Sequence, residues 1–373
     1  MHIVSRSTIA AIVVAGLASL ATGAAAQSRN SDEFPKATFP EKTFDGLKGE
    51  VLFYDTSGGP TTEARNATVF SRFADLTGVR FRSDVYPDPT KFYAWMQTGN
   101  PPPWSLIELP GTSELERAKA AGYLEKLDRS LIPLDQLDPT DVDDYGIRMM
   151  NYSIQMIWNT QAFPMSGPHP ESWSDFYDLK KFPGKRCMFK NAQTGATFES
   201  ALLADGVKPD QLYPLDVDRA LKKLDTIKDQ IVWWSSGAQG IQYLTTGECQ
   251  IGVSWNGRIA GAVNEDHAPI GLSWNQALYS TAVLAVPKGA PNDRAGQAAI
   301  AMWILDKKGQ INFVSRVPYA TNIKGLSLTD YPANVRSYLV GGENLKTAIR
   351  EDSSYYKENL PSLTERLNAW LQQ

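Results

Sequence analysis

The sequence predicts an α/β protein built as two lobes. Segments of strand periodicity alternate with segments of helical periodicity along nearly the whole chain, the pattern of parallel-rich sheets flanked by helices. A length of 373 residues exceeds one ordinary domain and suits two. The third observation is the stretch Thr246 to Val263, TGECQIGVSWNGRIAGAV. There Gly247 ends a helical pattern, Cys249, Ile251 and Val253 alternate as a buried strand, and Trp255-Asn256-Gly257-Arg258 leads into a small-residue helix. In open α/β sheets ligands collect beyond the carboxyl ends of strands, beside helix N-termini. An aromatic face, an amide and a guanidinium thus stand at a ligand position. The competing reading makes Trp255 a core residue and Arg258 a solvated helix charge.

Composition sets the outer bounds. With 42% apolar, 10% aromatic and 21% charged residues, the chain has the make-up of a soluble globular protein with large cores. Its formal net charge of −4 offers no electrostatic footprint for nucleic acid or an anionic membrane. The N-terminus is read as a cleaved signal peptide: Arg6 is the only formal charge in residues 1–26, Ile9 to Leu20 is apolar, and Ala24-Ala25-Ala26 fits a cleavage site. That run is short for a membrane span, and no later stretch is longer. The expected mature chain is periplasmic and monomeric, with no direct membrane insertion.

Taken in order, residues 27–45 are polar and Pro-punctuated, a flexible leader. Val51 to Tyr54 is a strand, and Asp55-Thr56-Ser57-Gly58-Gly59-Pro60 turns. Thr61 or Thr62 caps a helix that buries Ala67, Phe70, Phe73 and Leu76 and stops at Gly78. Val79 to Val85 is the next strand. The Gly58-Gly59 turn lacks a phosphate-loop lysine, which argues against a nucleotide. Phe92 to Gln97 is helical, Trp104 to Leu109 a strand, and Thr112 or Ser113 caps a helix ending at Gly122. The acid-rich Asp138 to Asp144 fails as a calcium loop, because Tyr145 and Tyr152 occupy ligand positions.

Ser153 to Asn159 reads as a strand, followed by a helix near Ser172 to Lys180, a strand at Arg186 to Lys190 and a helix near Thr197 to Ala204. A helix from Asp216 to Asp229, strand Ile231 to Trp234 and a helix near Gly240 to Thr246 lead into the Trp255 stretch. Ile270 to Trp274 and Ser280 to Val286 read as two strands, and Pro291 to Asp293 start a long helix. Two further helices lie near Tyr331 to Leu339 and Leu363 to Leu371. Cys187 and Cys249 fall on strands; a disulfide needs their Cα atoms within about 7 Å, and two buried thiols are the alternative. With only His169 and His267 in the mature chain, neither near a cysteine, no zinc site is indicated.

The segments FYDTSGGPTTEARNATVFSRFADLTGV (53–79), KKFPGKR (180–186), FESALLADGV (198–207), IVWWSSGAQ (231–239), TGECQIGVSWNGR and VLAVPKGAPN (283–292) appear in a definite order. In that order and spacing the chain resembles the periplasmic solute-binding proteins of ABC importers, in particular the spermidine/putrescine (PotD-like) branch. The resemblance implies a two-lobed periplasmic-binding-protein fold of type II with two hinge crossovers, a solute trapped in the interlobe cleft, and delivery to an inner-membrane ABC permease. It implies a first lobe of 46–150 plus 280–314 and a second of 151–279 plus 315–373. No cofactor is implied, and no enzymatic activity.

By the same resemblance the ligand-stacking tryptophan falls on Trp255, with Asn256 and Arg258 beside it. Further cleft candidates sit at strand ends: Ser57, Gly58 and Gly59 on the first turn, Gln193 and Thr194 after the Cys187 strand, Trp234 and Gln239 around a Gly-containing loop. Tyr279 lies at a crossover and Tyr319 in the PYATN turn. Polyamine binders hold ammonium groups with acids and aromatic faces. Here Gln193, Ala196 and Ala282 stand where that branch carries acids, and Arg258 suits a carboxylate. Two solutes are therefore open, a polyamine-type amine and a carboxylate-bearing amine such as an amino acid or opine-like conjugate. Among other classes, a ferric-ion binder would need adjacent tyrosines, and the pair Tyr355-Tyr356 falls on an expected surface helix. A secreted enzyme would need a nucleophile or metal motif, and none is legible.

Overall fold

The computed structural model describes residues 41–86 and 88–373. The signal segment 1–26 and the leader up to residue 40 lie outside the described residues. Ten strands are present among the described residues: β1 Glu50–Asp55, β2 Arg80–Val85, β3 Leu106–Leu109, β4 Gly146–Asn159, β5 Arg186–Phe189, β6 Ile231–Trp234, β7 Ile251–Trp255, β8 Ile270–Ala285, β9 Ala320–Thr321 and β10 Ile349–Arg350. They form one sheet in the order β2-β1-β3-β8-β4-β7-β5-β6, with β9 on β4 and β10 on β8. The flanks are parallel (β1 with β2 and β3, β5 with β6 and β7), as the strand-helix alternation requires. The central pair β4 and β8 is antiparallel.

The long central pair positions everything else. β4 runs 14 residues and β8 runs 16, and their register shifts between Arg148 and Met150 and again between Ile154 and Met156. At the second shift Trp274-Asn275-Gln276-Ala277 loops out of β8, with Gln276 at φ 58°. This bulge is why the sequence predicts two strands, 270–274 and 280–286, where the structure has one. The polar dipeptide Asn275-Gln276 mimics a turn but only bends the strand.

Separate apolar clusters lie along this pair. One packs Ile154, Trp158, Phe198, Ile251, Val253 and Leu278 with Tyr356, Leu363, Leu367 and Trp370 of the helix Ser353–Leu371. Another packs Tyr54, Phe92, Trp104, Ile107 and Leu109 with Val283 and Ala285. β8 thus contributes Leu278 to one core and Val283 to the other, each buried side chain stabilising by about 1.5–3 kcal/mol.

Local differences from the sequence reading have local causes. The helix Gly59–Arg65 begins after Gly58, which sits at φ 64°; Thr61 and Thr62 lie inside the helix and buried. The helix Thr112–Ala120 is likewise preceded by Gly111, with no side-chain cap from Thr112 or Ser113. Glu41–Phe44, assigned from sequence to the leader, is a helical turn with Thr43 and Phe44 buried. Cys187 on β5 and Cys249, two residues before β7, are joined by a disulfide, their Cα atoms 5.7 Å apart.

Candidate functional site

The turn after β1 is fixed from below by a buried ionic network. The Arg65 guanidinium donates to Asp55 at 2.7 Å and to Glu108 on β3 at 3.0 Å, all three side chains being essentially inaccessible. Asp55 accepts the Ser57 and Gly58 amides and the Thr62 hydroxyl, while Glu108 accepts the Thr56 amide and, at 2.7 Å, the Ser57 hydroxyl. Burial pushes the Asp55 carboxyl up, but Arg65 and these hydrogen bonds outweigh it and hold it below the usual carboxylate range. For Glu108 burial wins over Arg65, and its carboxyl is raised. The Thr56, Ser57 and Gly58 amides of this turn are therefore already committed.

Opposite it, β7 ends at Trp255 and the helix Asn256–Asn264 starts at once. Trp255 is half-buried and rests edge-on against Phe189 (5.0 Å between centroids) and Trp234 (5.4 Å), which stack on each other at 4.4 Å. Arg258 lies over this platform, its guanidinium carbon 5.9 Å from the Trp255 ring centre, and Nη2 donates to the Ser57 carbonyl at 3.4 Å. No aspartate or glutamate of the described residues forms an ion pair with it. Two glycines allow the approach: a Cβ on Gly237 would lie 2.1 Å from Arg258 Nε, and one on Gly257 would lie 2.6 Å from Tyr319 Cζ.

Between these walls is a cavity of about 760 Å³. Of the residues predicted from sequence, Ser57, Gln193, Thr194, Trp255, Arg258 and Tyr319 line it. The rest are placed elsewhere, for visible reasons. Asn256 is buried, accepting the Ser153 amide and donating to the Pro318 and Tyr338 carbonyls, so its amide staples three segments. Trp234 is buried beneath Trp255. Gln239 caps its own helix by accepting the Ser235 and Ser236 amides. Gly58 and Gly59 supply the left-handed turn, Gly59 behind Arg258. Tyr279 lies on β8 with its carbonyl held by the Glu351 amide.

Several wall residues escape the sequence reading: Tyr93, Glu108, Glu114, Arg117, Tyr152 and Tyr356. Tyr152 donates to the Pro110 carbonyl at 2.7 Å, and Tyr93 donates to Glu114 at 2.5 Å. Tyr356, expected on a surface helix, is fully buried and hydrogen-bonded to Glu199, which also accepts Tyr213 at 3.0 Å. Burial pushes the Glu199 carboxyl up to about 7. The signal for Tyr356 was present as apolar spacing through Leu360, Leu363 and Leu367, but Pro361 reads as a helix boundary. Among the described residues no cluster of three or more His, Cys, Asp or Glu could hold a metal ion, and no helix is long and apolar enough to cross a membrane.

Residues 69–336 match the family model for bacterial extracellular solute-binding proteins. The γ-aminobutyric acid-binding protein of Pseudomonas aeruginosa is 32% identical over 321 residues, covering 84% of this chain and 88% of that protein. The structure described as the Atu4243-GABA receptor is 33% identical, covers 86% of this chain and 97% of that one, and superposes with a TM-score of 0.77. The binding protein AgtB of A. tumefaciens R10, in complex with agropinic acid, is 26% identical over 87% of this chain and 99% of its own, with a TM-score of 0.77. The sheet with its long crossing strands and flanking helices is the substrate-binding-protein fold, and the chain belongs to the bacterial extracellular solute-binding protein family.

Proposed function

We propose that this protein is the periplasmic capture component of an ABC importer, and that its solute is a small organic acid carrying an amine. The observation that carries the reading is Arg258: a guanidinium on the cavity wall, over the Trp255 face, with no acidic partner among the described residues. A cation so placed recognises a carboxylate in a two-pronged hydrogen-bonded pair, worth about 1.5–3 kcal/mol. The relatives named for γ-aminobutyric acid and agropinic acid fit that chemistry. The lobes are read as 46–150 plus 280–314 and 151–279 plus 315–373, with closure at the register shifts of β4 and β8.

A polyamine has less support. Two of the wall acids are already committed, Glu108 to Arg65 and Ser57, and Glu114 to Tyr93 and Arg117; the third, Asp88, is exposed. A desolvated multication would find little compensation there. The spermidine/putrescine branch therefore rests on segment order alone. Ferric iron is also disfavoured, because Tyr355 does not line the cavity and the Tyr356 hydroxyl is already spent on Glu199.

The test is a thermal-shift panel of amino acids, ω-amino acids, opine-like conjugates and polyamines on the mature chain. Carboxylate-bearing amines are expected to raise the melting temperature and putrescine and spermidine to leave it unchanged. The reverse pattern contradicts the proposal.

A further inference from the structure

Four segments distant in sequence meet behind the cavity. Gln193, in the loop after β5, donates from Nε2 to Ser113 Oγ at 3.2 Å, and Ser113 lies in the first turn of the helix Thr112–Ala120. A Cβ built on Gly111 would touch Ser113 Oγ, Gln193 Nε2 and Ser280 Oγ at 3.4, 3.5 and 3.9 Å, so Ser280 of β8 belongs to the same knot. The fourth member is Glu351, directly after β10, whose amide donates to the Tyr279 carbonyl at 3.0 Å. Its carboxyl faces the Ser280 hydroxyl and the Gln193 amide, and it is only 6% exposed.

Among the described residues Glu351 has no counter-charge. The groups facing it are Glu199 from the helix Thr197–Ala204, Tyr152 from β4, Tyr213, and Tyr356 from the C-terminal helix. The adjacent Arg350 is exposed, on the side of Asp141 and Arg148. Among the described residues Oε2 of Glu351 is buried without a hydrogen-bond partner. An ionised carboxylate in that position is desolvated, repelled by Glu199 and half-satisfied, whereas a carboxylic acid is uncharged and can itself donate.

We propose that Glu351 is a positioning residue for solute capture, acting as an uncharged acid that orients the Gln193 amide so that Gln193 bridges to Ser113 at the back of the cavity. The proposal rests on the solute-capture reading above. Opening the cavity separates Gln193 from Ser113 and admits water to the knot, where Glu351 ionises. Closing re-forms the bridge and returns a proton to the carboxyl, so capture takes up a proton. Burial, with Glu199 adding to it and the Ser280 and Gln193 hydrogen bonds opposing it, pushes the Glu351 carboxyl up to about 8 in this structure, taken as the closed form. Affinity therefore falls as pH rises from about 5 towards 8, by at most about tenfold per pH unit, and levels off above.

The test is calorimetric titration of γ-aminobutyrate into the wild type, Glu351→Gln, Glu351→Ala and Gln193→Ala between pH 5.5 and 8.5. Two buffers of different ionisation enthalpy report the protons taken up. The wild type is expected to take up a measurable fraction of a proton near pH 7 and to weaken with rising pH. Glu351→Gln, a neutral mimic, restores binding relative to Glu351→Ala and loses both the slope and the proton uptake; Gln193→Ala weakens binding at every pH. Equal pH profiles and proton uptake in the wild type and Glu351→Gln overturn the inference. Failure of the wild type to bind γ-aminobutyrate or any other carboxylate-bearing amine of the panel at any pH instead contradicts the solute reading on which it rests.

Discussion

Trp234 stands edge-on beneath Trp255, ring centroids 5.4 Å apart at 81°. Only the upper ring reaches the cavity; the lower one is 1% exposed and stacks on Phe189. A ligand platform is thus built from a buried tryptophan carrying a half-buried one. Trp234→Ala is expected to cost about 3–5 kcal/mol of stability and to weaken solute binding more than tenfold, since Trp255 loses its support. Urea unfolding and calorimetric titration measure both. Lost stability with unchanged affinity would show that Trp255 needs no platform.

Glu199 supplies a pH dependence of stability. Burial raises its folded-state pKa from 4.5 to about 7, although the Tyr356 and Tyr213 hydroxyls oppose the rise. The folded state therefore holds its proton more tightly than the unfolded chain. The contribution is fully present below about pH 4.5 and is lost as pH rises through about 7, on the order of 3 kcal/mol. Urea unfolding between pH 5 and 8 should show stability falling, with a shallower slope in Glu199→Gln. An unchanged slope in the variant contradicts this assignment.

The Cys187–Cys249 disulfide closes a sequence separation of 62 residues and ties β5 to the segment entering β7. Reduction, or the double substitution Cys187→Ser with Cys249→Ser, is expected to destabilise by roughly 2–5 kcal/mol. Calorimetric melting with and without reductant checks it; coincident melts contradict it.

Arg65 neutralises two buried carboxyls under the Ser57 turn. Arg65→Met leaves Asp55 and Glu108 facing each other without a counter-ion, and a loss of about 3–5 kcal/mol is expected at neutral pH. The loss should shrink at acid pH, where both carboxyls are protonated in the variant. Equal losses at pH 4 and pH 7 in urea unfolding would contradict the charge argument.

The alternation of strands and helices was legible because it rests on local periodicity, and so was the Trp255 to Arg258 stretch at a strand end. The continuity of β8 was not, because Asn275 and Gln276 carry turn chemistry while forming a bulge. Nor was the inward face of the C-terminal helix, where Pro361 masks a spacing that buries Tyr356. Asn256 and Gln239 look in sequence like ligand-facing amides. Both have hydrogen-bonding capacity spent on backbone amides and carbonyls, and one-dimensional reading cannot tell a satisfied amide from a free one. Glu108, Tyr152 and Glu351 gain their place from pairings 42 to 72 positions away, which no local pattern encodes.

The most direct test of the account is calorimetric titration of the strongest carboxylate-bearing amine from the thermal-shift panel into the wild type and Arg258→Ala. Loss of the guanidinium pair is expected to weaken binding by about 1.5–3 kcal/mol, roughly ten- to more than a hundredfold. Binding of equal strength to both proteins would contradict it.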